Sequence, residues 1–67
     1  MDFIQKARIQ LEHWITHNEH HQEDYEAFAK SLEEAGRGDS ARNIREMMTL
    51  SSKGTVFLRK ALEALDG

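Results

Sequence analysis

The four histidines of this 67-residue chain, His13, His17, His20 and His21, all lie within a short stretch of its first half. Neutral imidazoles one helical turn apart can chelate Zn, Ni, Cu or Fe, and a neighbouring carboxylate can complete the shell. On a helix advancing 100° per residue, His13, His17, His20 and Asp24 share about 60° of arc. His13/His17 and His17/His20 are the simplest chelates, with Asp24 or Glu23 as oxygen donor. His17/His21 is a third pair, nearer the apolar side. The pattern is not His-Glu-x-x-His, because no Glu follows the first histidine of any pair. Nor is it Glu-x-x-His, because Gln10, Trp14, His17 and Asn18 stand three residues before the histidines. One helix supplies two or three ligands, so a closed site needs a second subunit or an acid such as Glu46. The competing reading is a solvated polar flank of a residue type that changes charge near neutral pH.

Asn18, His21, Tyr25, Ser51 and Thr55 form a second constellation. If the chain folds back on itself, counting outward from the turn sets Phe28 against Met48, Tyr25 against Ser51 and His21 against Thr55. Asn18 then falls one layer further, towards Leu58. Buried polar groups must bond to one another or to water, so this layer either fixes register or borders a small-ligand pocket. Ser51 or Thr55 beside His21 is also the nearest approach to a nucleophile and base. A seam between two helices offers little concavity, and its interior N–H groups are already bonded, so no oxyanion site is expected. The chain contains no cysteine. A non-enzymatic role is the expectation.

The elements that must position these residues are helical. From Phe3 to Ala35 neither Gly nor Pro occurs, and good helix formers recur. Ile4, Ala7, Leu11, Trp14, Asn18, His21, Tyr25, Phe28, Leu32 and Ala35 step by threes and fours, the spacing of an inward seam. A helix over about 3–35 spans roughly 50 Å at 1.5 Å per residue, so an equally long neighbour must cover it. Gly36 suits a left-handed C-terminal cap, and Asp39 or Ser40 can cap the next helix. After a turn at 36–39, a second helix over about 40–65 carries Ala41, Ile44, Met48, Ser51, Thr55, Leu58, Leu62 and Leu65 inward. The expected architecture is one all-α domain, 1–67, folded as a long antiparallel helical hairpin. Ser51-Ser52-Lys53-Gly54-Thr55 is its weak section; a break there would give three helices, with Ser52 capping the last.

Met47, Leu50, Gly54, Phe57 and Ala61 form a second apolar row, turned about 100° from the first. One neighbouring helix cannot cover both rows. A second subunit covering this one would give a homodimeric four-helix bundle; the alternative is Phe57 folded over the end of a monomer. Proline and cysteine are absent and the formal charge is −3, with acids and bases interspersed. No basic stripe favours nucleic acid, and no long apolar run favours a membrane or export, so a cytoplasmic setting is expected.

The segment His13-Trp14-Ile15-Thr16-His17-Asn18-Glu19-His20 resembles the His-Trp-x-x-His-Asn-x-x-His opening of a small, uncharacterised helical family. His13, Trp14, His17, Asn18 and His20 carry the likeness, with Tyr25 and Phe28 in the aromatic stretch beyond it. The resemblance implies a second amphipathic helix after a glycine-containing turn and names no reaction; Ser51–Gly54 departs from its Ala/Leu/Glu-rich second helix. Three functions stand as expectations: a dimeric helical protein that binds other proteins, a metal-binding or metal-responsive module, and a small-ligand binder.

Overall fold

The computed structural model describes residues 2–66. In it, α1 (Phe3–Glu34) and α2 (Gly38–Asp66) pack side by side as an antiparallel hairpin measuring 51 × 17 × 11 Å. Asp2 opens α1: its backbone is extended, and its side chain accepts the Gln5 N–H at 2.8 Å. This satisfies one of the first-turn donors that a helix leaves unpaired.

The turn is a complete Schellman motif. Gly36 takes φ +76°, the left-handed region in which a Cβ is disfavoured. Its N–H donates to Glu33 O at 3.0 Å, and the Arg37 N–H donates to Leu32 O at 2.8 Å. Those two bonds close the last turn of α1. The second helix starts sooner than expected. Arg37 O already accepts the Ala41 N–H at 3.1 Å, so Asp39 lies inside the first turn rather than capping it. Its carboxylate there favours the positive end of the helix dipole and pairs with Arg42 at 2.9 Å.

No break interrupts α2. The helix runs through Ser51–Thr55, correcting the three-helix alternative. The hydroxyl of Thr55 donates to Ser51 O at 3.2 Å and that of Thr49 to Arg45 O at 3.3 Å. These side chains bond back onto the helix instead of offering the backbone a different path.

On α2 the inward residues are those the spacing indicates, from Ala41 through Thr55 to Leu65. On α1 the seam slips. Ile15 and Ala29 are buried, whereas Trp14 and Phe28 stay 47% and 56% exposed. The expected and observed seams share Leu11, Asn18, Tyr25 and Leu32. They differ in whether the position between lies three residues on, at Trp14, His21 and Phe28, or four, at Ile15, Gln22 and Ala29. The buried face is turned towards the latter. From Leu11, buried or half-buried positions run Ile15, Asn18, Gln22, Tyr25, Ala29 and Leu32, in steps of four and three. Ala29 and Ala41 are fully buried near the turn, where their small side chains suit a close approach of the two backbones.

Core volume is thin. Ile15, Ala29 and Ala41 are the buried hydrophobic residues among those described, and no side chain among them is both large and fully buried. No helix among the described residues is long and apolar enough to cross a membrane.

Candidate functional site

The hairpin has two unlike sides. On one, Arg45 bonds Glu26 through both carboxylate oxygens, at 3.0 and 3.2 Å, and also pairs with Glu33. Further from the turn Arg59 meets Glu19 at 2.7 Å. The guanidinium holds the Glu26 carboxyl below its usual range, chiefly through their hydrogen bond, and the two carboxylates raise Arg45 further above its own.

Those pairs fix the orientation of everything else on the wheel. At 100° per residue, the flank of α1 opposite Glu19, Glu26 and Glu33 carries Trp14, His17, His21 and Phe28. The flank of α2 opposite Arg45 and Arg59 carries Met47, Leu50, Gly54, Phe57 and Ala61. Both flanks open on the same side of the hairpin. Leu50 is 68% exposed and Phe57 67%. Phe57 does not fold over the hairpin end; its ring lies 5.3 Å from the Lys60 ammonium.

The histidines form a ladder along the first of these flanks. His13 stacks on His17 with centroids 5.8 Å apart, His17 tilts against His21 at 4.4 Å, and His21 stacks on Tyr25 at 5.6 Å. The Nε2 atoms of His17 and His21 are 3.0 Å apart, one donating to the other. This corrects the metal expectation. Among the described residues no three His, Cys, Asp or Glu side chains are grouped to hold an ion, so Zn, Ni, Cu and Fe lose their site. His13 is stacked at 5.8 Å, while His20, Glu23, Asp24 and Glu46 stand exposed. Co-facial spacing aligns side chains along a flank, but coordination requires their donor atoms to meet at one point.

The polar layer exists in a different register. Asn18, not His21, reaches Thr55, with Nδ2 3.5 Å from Oγ1, a long bond. Gln22 donates to the Met48 carbonyl at 3.1 Å. The two helices are therefore offset by about one turn from the count made outward from Gly36, because α2 begins nearer the turn. His21 and Tyr25 stack on each other at the edge of the layer, and Ser51 contributes its carbonyl to Thr55. No buried side-chain polar atom among the described residues lacks a partner. An open concavity lies at the turn, lined by Gly36, Arg37, Gly38, Asp39 and Ser40. Sequence reasoning misses Gln22; stepping four residues on from Asn18, rather than three to His21, would have reached it.

Residues 7–65 match the family described as Domain of unknown function (DUF8180). The chain belongs to the DUF8180 family. That match covers α1 and α2 almost entirely and replaces the resemblance carried by the histidine-rich opening, whose side chains form no His/Asp/Glu cluster among the described residues of this DUF8180 chain. The spacing of that opening also fails at its end: two residues between Asn18 and the last histidine would fall on His21, not His20. No curated protein and no solved structure matches the DUF8180 chain.

Proposed function

We infer that this small helical protein acts without catalysis, by self-association and protein binding through the side of the hairpin opposite the Arg45 and Arg59 ion pairs. The observation that carries this reading is the thin core. A chain of this length needs most of its apolar surface covered to be stable, yet no large side chain among the described residues is fully buried. Trp14, Phe28, Leu50 and Phe57 are exposed on one side, while the ion pairs gather on the other. Ile9 and Val56 are exposed elsewhere, but the four large side chains gathered on this face form a surface fit to meet another protein. A second copy brings the same face and completes a four-helix bundle.

Sedimentation at micromolar concentration tests the reading. The native chain is expected to run as a dimer. Phe57→Asp, which sets a charge into that apolar surface, should shift it to monomer and lower its helicity. A native chain that sediments as a monomer overturns the proposal.

A further inference from the structure

The isolated hairpin gives Gly54 no role. Glycine inside a helix is less favourable than alanine, yet Gly54 has no positive φ, and a Cβ there would meet nothing within 4 Å. Neither a turn nor a close approach of α1 requires it. The surroundings of Gly54 are exposed: Leu50 lies one turn before it and Phe57 one turn after.

The whole row is Met47, Leu50, Gly54, Phe57, Ala61 and Ala64, with steps that read the same in either direction. Its side chains are large at 47, 50 and 57 and small at 54, 61 and 64. Reversed and laid against itself, the row sets Met47 against Ala64, Leu50 against Ala61 and Phe57 against Gly54. Each large side chain then faces a small one. A surface that complements its own reverse is the requirement for a two-fold interface.

The geometry points to a two-fold dimer in which α2 of each copy lies antiparallel to α2 of the other. The axis passes between Thr55 and Val56, and each Phe57 ring seats over Gly54 of the second copy. This rests on the self-association reading and deepens it. The Asn18–Thr55 bond puts Asn18 level with the same axis. The α1 flanks consequently meet as well, with Trp14 of one copy level with His21 of the other. The two turns lie at opposite ends of the bundle. A dimer with both turns at one end would put like levels together, Phe57 with Phe57 and Gly54 with Gly54, and lose the complementarity.

Sedimentation of four chains provides the test: native, Gly54→Phe, Phe57→Gly, and the double swap. Gly54→Phe should weaken the dimer at least tenfold, because two rings then compete for one space. The double swap keeps one glycine and one phenylalanine in the helix, and it should restore association by seating the transplanted ring on the new glycine. A Gly54→Phe chain that dimerises like the native one, or a double swap no better than either single variant, overturns this register. A monomeric native chain overturns self-association itself. Nitroxide labels on Ser40→Cys give a readout without touching the interface. Antiparallel copies place them about 45 Å apart along the length of the bundle at 1.5 Å per residue; a short distance overturns the arrangement.

Discussion

Arg45 holds two carboxylates of α1 at once, and its planar guanidinium gives the Glu26 contact a two-bond geometry that lysine could not supply. Because Arg45 depresses the Glu26 carboxyl, chiefly by hydrogen bonding, the linkage has a definite sign. A carboxyl held lower in the folded state stabilises the fold above its ordinary value of 4.5. That contribution is lost as pH falls through the depressed folded value. Arg45→Met should therefore lower Tm slightly at neutral pH, and the gap to the native chain should close on acidification below 4.5. Thermal melts of both chains from neutral to acid pH check this; a gap unchanged at pH about 2 would contradict the assigned cause. Both partners are solvent-facing, so salt should shrink the gap as well.

Among the elements, the turn was the most legible. Gly36 announced itself by ending a long run of helix formers, and the structure gives it φ +76°. Gly36→Ala should destabilise the hairpin by about 1 kcal/mol, the penalty for placing a Cβ in the left-handed region; denaturant titration measures it, and an unchanged midpoint would count against the Schellman assignment. The α2 seam was legible because its three-four steps from Ala41 land on the residues that are buried or half-buried. On α1 the choice after Leu11 lies between a step of three and a step of four, and Trp14 and Phe28 are larger than Ile15 and Ala29 respectively. Size therefore favoured the wrong neighbours. The histidines misled differently. Their positions along the helix were right, but wheel spacing says nothing about whether nitrogen atoms converge, and it is the His17–His21 pair that does. Register was the least legible feature, because a shift of two residues in where α2 starts moves every cross-helix partner. Asn18 rather than His21 opposite Thr55 is the result.

At the scale of the whole molecule, the 51 Å length and 11 Å thickness describe a single layer of helices. Acids outnumber bases on α1, while the bases of α2 include both arginines that reach across. Attraction between the helices is thus concentrated along one edge, and apolar surface is left along the other. The short, fully bonded turn also sets an order of events in time. Contacts near Gly36, such as the Arg45 pairs with Glu33 and Glu26, close the smallest loops and cost the least chain entropy. Pairings near Leu62 and Leu65 close the largest. The chain should accordingly zip from the turn towards its two ends, with a transition state structured around residues 29–45. In stopped-flow measurements Ala41→Gly should slow refolding, whereas Leu62→Ala should leave refolding nearly unchanged and speed unfolding. The reverse pattern would mean that association at the middle of α2 comes first, and that the hairpin is the product of its dimer rather than the precursor.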